Sequence, residues 1–331
     1  KAIPNLLDDT GQSSISLINS FYGTYLAHDM IKRNEAFQKA IKLWEKSDNW
    51  ESQLRKNADL KLSQLEETPW VREAKAEEDQ MRKLGVLLDD NYVEEKLRTL
   101  FEKLKQLQHS NGGFSWHPGG RDNWYITQYI LESLGRLKDL TGNELEVDNA
   151  MLDNAIQYID ARLLEYYNDN KNTLSNEDYI PPKIIHYMYT RSFFREHLID
   201  NKVYPAFSYY LKKMGKHWIP LNSYQQALAG IALNKWNEIT ESEDIFKSLH
   251  ERMIIDKEIG NYWNDQAGYY WYNPSIEKHS VMIEFYRLMQ AEREDIDGLK
   301  LWLLKNKQTH QWATSKGTVS AIYAFMLDSE E

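Results

Sequence analysis

The chain is predicted to be all-α, an α/α toroid of about six helical hairpins. Three observations predict it. Apolar residues recur at helical spacing almost throughout. A loop-then-helix unit, fullest in Gln106–Leu137 (QLQHSNGGFSWHPGGRDNWYITQYILESLGRL), returns in weaker copies downstream. The later landmarks of that unit, Tyr179, Trp218, Trp263 and Trp312, stand 39, 45 and 49 residues apart. Such intervals fit one helical hairpin, two helices of ~15 residues with ordinary connections.

Taken in order, Ile18, Tyr22, Tyr25 and Leu26 share one helical face, and Phe37, Ala40, Ile41 and Trp44 the next. Pro69 suits a first helical turn, and Asp90 is placed to cap the helix after it. The clearest stripe is Val93, Leu97, Leu100, Phe101, Leu104 and Leu107. Gly112–Gly113 and Gly119–Gly120 then break the chain. The repeated helices follow: WYITQYILESL after Phe114–Trp116, KIIHYMYTRSF after Pro181–Pro182, and SYQQALAGIAL after Trp218 and Pro220. KHSVMIEFYRLM follows Trp263 and Trp271, and KGTVSAIYAFML follows Trp312. An additional helix, MLDNAIQYIDARLLEYY, lies in the longer first interval. Ala227, Ala229, Gly230, Gly317, Ser320, Ala321 and Ala324 are small enough for close packing in an inner ring. Strand-like alternation is confined to NYWNDQAGYYWY, which predicts a short β-hairpin near 261–272 with its turn at Gln266–Gly268.

A closed ring can hold all 331 residues as a single domain, 1–331. Hydrophobic residues make up 42% of the chain, enough for a large core, and 11 Trp and 21 Tyr are many for so polar a sequence. The net charge of −10 argues against nucleic acid or an anionic membrane as a partner. No window approaches the ~18 apolar residues of a membrane span. The first residue is Lys1 with no signal segment after it, so the chain reads as a fragment of a larger multidomain protein. Zero cysteines exclude disulfides, thiolate metal sites and a cysteine nucleophile.

Residue types that carry chemistry are scattered. The nine histidines show no ligand spacing; His117 falls in the Gly-rich loop and Glu196–His197 inside a predicted helix, so no metal and no cofactor is expected. Ser13, Ser14 and Ser16 lack a nearby base. Helical toroids can host sugar-cleaving enzymes, which need two opposed carboxyls. Asp122, Glu177, Asp178, Asp265 and Glu284 are the candidates on or near the repeat loops, with helix capping the plain alternative for Asp122. Trp116, Trp124, Trp218, Trp263 and Trp271 are candidate binding aromatics that could stack on sugar rings; packing of loop on helix is the alternative for each.

Three separated stretches carry a family resemblance: ETPWVREAKAEEDQMRKLGVLLD (67–89), NGGFSWHPGGRDNWYITQYI (111–130) and LKLWLLKNKQTHQWATSKGTVSAIYAFML (299–327). Through them the chain resembles the thioester domain of the α2-macroglobulin and complement superfamily, above all its bacterial α2-macroglobulin-like members, over nearly its whole length. The resemblance implies the same α/α toroid. It also implies an internal thioester between the Cys and Gln of Cys-x-Glu-Gln, opening the first long helix. FYGTYLA (21–27) matches the helix just after that motif, which puts Ser13 at the Cys position and Ser16 at the Gln position. The thioester motif is therefore degenerate. Thr127 falls where complement-type members carry the histidine that relays the acyl group, and a hydroxyl bonded back to its own helix is its structural alternative.

The resemblance implies a non-catalytic, thioester-less domain that contributes to protease trapping, endopeptidase inhibition or cell-envelope protection. Its implied partners are neighbouring β-sandwich domains of the same chain and proteases, and its implied location is extracytoplasmic, in the bacterial periplasm or envelope. A carbohydrate-active toroid enzyme, a glycoside hydrolase or polysaccharide lyase using Asp122 and Glu284, is the competing expectation; a scaffold that only binds a partner protein is a third.

Overall fold

The computed structural model describes residues 11–36, 38–39, 43, 85–142, 148–171, 179–264, 275–307, 312 and 314–327. Among these the fold is all-α, as the periodicity predicts, and the helices from Trp124 to Met326 follow the alternating path of an α/α toroid. The chain divides into two compact units, residues 1–11 with 16–104 and residues 12–15 with 105–331.

α1 (Ser14–Arg33), which belongs to the first unit from Ser16 onward, buries Ile18, Tyr22 and Leu26, the face its spacing predicts. α2 (Asp90–Lys105) buries Val93 and Leu104, and the Phe21 and Phe101 rings lie 5.7 Å apart. His28 Nδ1 donates to the Leu87 carbonyl at 3.1 Å, and its Nε2 is 3.3 Å from Asp90. The cap of α2 differs from the expected one. Asp89, not Asp90, accepts the Tyr92 N–H, because that bond must come from the residue just outside the first turn. The predicted face at Phe37, Ala40, Ile41 and Trp44, together with Pro69, lies outside the described residues.

The second unit holds nine helices among the described residues: α3 (Trp124–Thr141), α4 (Asn149–Asn170), α5 (Pro182–Arg191), α6 (Tyr204–Lys216), α7 (Ser223–Lys235), α8 (Ile239–Glu251), α9 (Ser275–Leu288), α10 (Arg293–Lys305) and α11 (Ser315–Met326). α3, α5, α7, α9 and α11 pack each against the next and form an inner layer; α4, α6, α8 and α10 return outside it. Burial follows from this. α7 is buried continuously from Ser223 to Leu233 and α9 from Ile276 to Tyr286. The outer α8 buries only Ser242, Ile245 and Leu249, and α10 only Ile296, Leu299 and Leu303, the same one-sided spacing in both. The small residues do allow close approach. A Cβ on Gly230 of α7 would stand 2.3 Å from Cζ of Phe285 on α9, and one on Gly135 of α3 2.6 Å from Phe193.

The inner helices run parallel, so their side chains meet in layers. Residues of the first turns (Tyr125, Tyr224, Glu277, Lys316) act on one another electrostatically, and residues two or three turns further in (Arg136, Tyr189, Glu284, Tyr323) do the same. Pairing of strand type is limited, among the described residues, to isolated bridges. Tyr262, placed in the predicted 261–272 hairpin, instead bridges to Ile254, and residues 265–272 with the expected turn lie outside the described residues.

Candidate functional site

The corner that the sequence singles out is built around the loop between α2 and α3. Gly112, at φ +87°, turns the loop under α4, where a Cβ would meet the Asn154 carbonyl oxygen at 2.1 Å. The loop strand then receives the start of α1. Ser14 N–H donates to the Trp116 carbonyl at 3.0 Å, and Ser14 Oγ donates to the Ser115 carbonyl at 2.6 Å. Ser14 is fully buried, while Ser13 and Ser16 on either side are half-buried. From its other edge the same loop is tied to α3: Phe114 N–H donates to Thr127 Oγ1 at 2.9 Å, and that hydroxyl donates to the Asn123 carbonyl at 2.9 Å. Three residues of one loop thus join Ser14 to Thr127.

Thr127 is wholly buried and both of its bonds are structural. The last hairpin repeats the device. Trp312 N–H donates to Thr318 Oγ1 at 3.2 Å, and Thr318 donates to the Thr314 carbonyl at 2.9 Å. Each threonine is the fourth residue of its helix and holds the loop before it. Gln226 does the same in α7 through the Trp218 and Ile219 carbonyls, at 3.3 and 3.1 Å. His279 does so in α9, donating to the Asn261 carbonyl at 3.3 Å. Burial, with the Lys278 charge adding to it, pushes the His279 imidazole down to about 3, and its ring stacks on Trp302 at 3.5 Å.

The loop tryptophans divide. Trp263 and Trp312 are buried, and their indole N–H groups donate to the Leu249 and Leu303 carbonyls at 2.8 and 3.0 Å. Each acceptor is the third residue from the end of an outer helix, where carbonyls lack an intrahelical partner. Trp263 is therefore a staple of loop on helix and not a surface aromatic. Trp116 is 42% exposed, Trp124 and Trp218 are half-buried, and Trp271 lies outside the described residues.

The carboxylates separate as well. Asp122 does not cap α3. Asn123, with extended backbone, does so by accepting Ile126 N–H at 3.1 Å. Asp122 accepts from Tyr158 Oη at 2.7 Å, and that bond leads the causes that hold its carboxyl below the usual carboxylate pKa, with Arg162 3.8 Å away. Glu284 belongs to another network, buried between the inner helices. It accepts from Tyr189 Oη at 2.6 Å, Tyr189 accepts from Arg136 Nε at 3.0 Å, and Arg136 Nη1 lies 2.9 Å from Glu132. His186 Nε2 meets the other Glu132 oxygen at 2.7 Å. Burial would raise both carboxyls. At Glu132 the Arg136 charge and then His186 outweigh it and hold the group down at about 2. At Glu284 burial wins over Arg136, Lys235 and Tyr189, and the carboxyl is pulled up. Glu132, Arg136 and His186 were not singled out by sequence, because a Glu and Arg four apart on a helix ordinarily read as a solvated pair.

Glu177, Asp178 and Asp265 lie outside the described residues. His117 is exposed, and Glu196–His197 stand in a turn, not a helix. The buried Arg191 guanidinium ends the helix there by donating to the Phe194 and His197 carbonyls. Among the described residues no group of three or more His, Asp and Glu could hold a metal ion, and no helix is long and apolar enough to cross a membrane.

No protein-family model matches the chain, and no curated protein matches it in sequence. Solved structures do match. The cryo-EM reconstruction of native Escherichia coli alpha-2-macroglobulin aligns with a TM-score of 0.55 at 14% identity, over 98% of this chain and 16% of that one. The crystal structure of native E. coli alpha-2-macroglobulin from domain MG7 to the C-terminus aligns at 0.47 and 15% identity, over 72% of this chain and 35% of that one. The trypsin-activated E. coli protein aligns at 0.48 and 15% identity, over 73% and 15%. This chain thus spans about a third or less of each of those chains. Its fold is one found within E. coli alpha-2-macroglobulin.

Proposed function

We propose that the chain is a single non-catalytic domain of a larger, bacterial α2-macroglobulin-like protein of the cell envelope, and that it contributes to trapping proteases without a covalent bond. The observation that carries this reading is the α1–loop–Thr127 corner. Ser14 is bonded into the loop between Ser13 and Ser16, the positions matched to the thioester Cys and Gln, and the relay position is filled by a threonine that serves only to hold that loop. A thioester requires a thiol, and the chain has no cysteine. A corner held by neutral hydrogen bonds keeps the architecture while offering no acyl group to an attacking amine. In the parent protein, β-sandwich domains are the partners expected beside it.

The test uses the full-length parent protein incubated with an active protease. Retention of the protease on a native gel, with reduced cleavage of a large substrate and no conjugate surviving denaturation, is the expected result. A protease–protein conjugate stable to denaturant, or no retention of any of a panel of serine and metalloproteases, overturns the reading.

A further inference from the structure

A groove of about 790 Å³ lies between the outer helix α4 and the loop that joins α5 to α6. Sites for small ligands enclose ~300–1,000 Å³. One wall is a single face of α4. Asp153, Ile156, Asp160 and Leu164 follow one another three or four residues apart, so acid and apolar side chains alternate turn by turn. The other wall is His197–Val203, where Leu198 is 93% exposed and Asp200 and Lys202 stand at the surface. Ile156, Asp160 and Val203 are buried and close the floor.

The loop is fixed by the protein's own bonds. Arg191, wholly buried, donates to Asp160 and to the Phe194 and His197 carbonyls, and the Asp200 carbonyl accepts the Val203 and Tyr204 N–H groups at 2.9 Å. The aspartates are each engaged on one side. Asp160 Oδ1 accepts from Tyr187 Oη at 2.6 Å and from Arg191 Nε at 3.1 Å. Asp200 Oδ1 accepts the Lys202 N–H at 2.7 Å, and Asp153 Oδ1 lies 3.1 Å from His197 Nδ1. Among the described residues none of the three Oδ2 atoms has a hydrogen-bond or ion-pair partner. Asp160 carries the most weight, because it is only 7% exposed and yet lines the groove. Burial pushes its carboxyl up despite Arg191 and Tyr187, and the Asp200 charge, close enough to act on it, pushes the same way. Two carboxylates that oppose each other are relieved by a cation shared between them. Against the three aspartates the lining sets one lysine, Lys202, which forms no ion pair among the described residues.

The chemistry that fits is a cation joined to hydrocarbon. A hydrated metal ion gains nothing from Ile156, and among the described residues no group of three His, Asp and Glu could hold one. A lone ammonium meets one end of the groove and leaves the other. Asp153 and Asp160 stand two turns, ~10 Å, apart along α4, with Ile156 between them. An extended triamine of the spermidine type sets its end nitrogens ~11 Å apart. We propose that this groove binds a linear aliphatic polyamine, with one end ammonium on Asp153, the other between Asp160 and Asp200, and its methylenes along Ile156. Such a site is independent of whether the chain belongs to a protease trap.

Isothermal titration of the protein with spermidine, putrescine, magnesium and a tetralysine peptide tests it. Spermidine is expected to bind, with Kd rising as salt is added. Putrescine, whose nitrogens stand ~6 Å apart and cannot reach both ends, should bind at least about tenfold more weakly. Magnesium and tetralysine should also bind at least about tenfold more weakly. Asp153→Asn and Asp200→Asn should each weaken spermidine about threefold or more, and Lys202→Met should tighten it about two- to threefold. Asp160 is kept, because its loss would strand the buried Arg191. Glu294→Gln combined with Asp297→Asn, an exposed acidic pair on α10 that does not line the groove, should leave the affinity unchanged. No binding of spermidine, equal binding of putrescine, magnesium or tetralysine, unchanged affinity in both aspartate variants, or equal weakening by the α10 pair overturns the proposal.

Discussion

Thr127 spends both functions of one hydroxyl on the protein's own backbone, accepting from Phe114 and donating to Asn123. Removing the oxygen leaves the buried Phe114 N–H without an acceptor, which costs the desolvation of that group. Thr127→Val should therefore lose about 1–3 kcal/mol in urea unfolding, while Thr127→Ser, which keeps the oxygen, should lose under about 1 kcal/mol. Equal losses would mean that the methyl group, not the hydroxyl, is what the corner needs. The interior pair makes a sharper contrast. Glu132 is held ionised by Arg136 and His186, whereas Glu284 is pulled toward its neutral form by burial. Removing the charge from Glu132 leaves Arg136 without its nearest carboxylate, so Glu132→Gln should cost about 3–5 kcal/mol. Glu284→Gln keeps an acceptor for Tyr189 and gives up a charge the site resists; it should cost under about 1 kcal/mol. Chemical denaturation of both variants at neutral pH checks the order.

At the scale of elements, the starts of the inner helices were legible because each follows an aromatic or proline-bearing loop. α3 and α7 begin at Trp124 and Ser223, where the repeated helices were predicted to begin; α5 and α11 begin one residue early and α9 three. The caps were harder to read. Two neighbouring polar residues compete at each start; Asp89 takes the capping bond over Asp90, and Asn123, with extended backbone, takes it over Asp122. The repeated threonine device escaped sequence inspection for a geometric reason: Phe114 lies thirteen residues before Thr127, but Trp312 only six before Thr318. Unequal loops hide an equal bond. Contact between inner helices also sets a rule against ordinary propensity. Alanine is the better helix former by ~1 kcal/mol, yet a methyl at 230 would drive into Phe285. Gly230→Ala should lower stability by about 1–3 kcal/mol, seen as a lower thermal midpoint. A gain would show that α7 and α9 can separate without loss.

On the scale of the whole molecule, acid should weaken the fold through His279. Its imidazole stays neutral in the folded state down to about 3, but in the unfolded chain it takes a proton near 6.5. Between those values the unfolded state binds more protons, so stability falls as pH falls through that window and is intact above it. The slope from this group alone reaches about 1.4 kcal/mol per pH unit. Urea midpoints measured from pH 7 to pH 4 should drop less steeply in His279→Gln than in the parent chain; parallel curves would assign the acid loss to other groups. Of the corner, the break at the Gly-rich loop and the bond of the Thr127 hydroxyl back to the start of its own helix were legible in local spacing. The Glu132–Arg136–Glu284 network was not, since it assembles residues from helices far apart in the chain.

The layered interior carries a consequence for how the protein is made. Lys316 Nζ donates to Tyr125 Oη at 3.1 Å across 191 residues, and its ammonium also faces Tyr224, Glu132 and Glu277. A ribosome delivers those three helices first and their shared cation last. Until α11 emerges, Glu277 and Tyr224 face the first-turn layer without that cation, whereas Glu132 already has Arg136 and His186, so the layer at the helix starts stays incomplete. Closure then waits on the final helix, which makes ordering of the interior a late event and penalises release of any chain cut short of it.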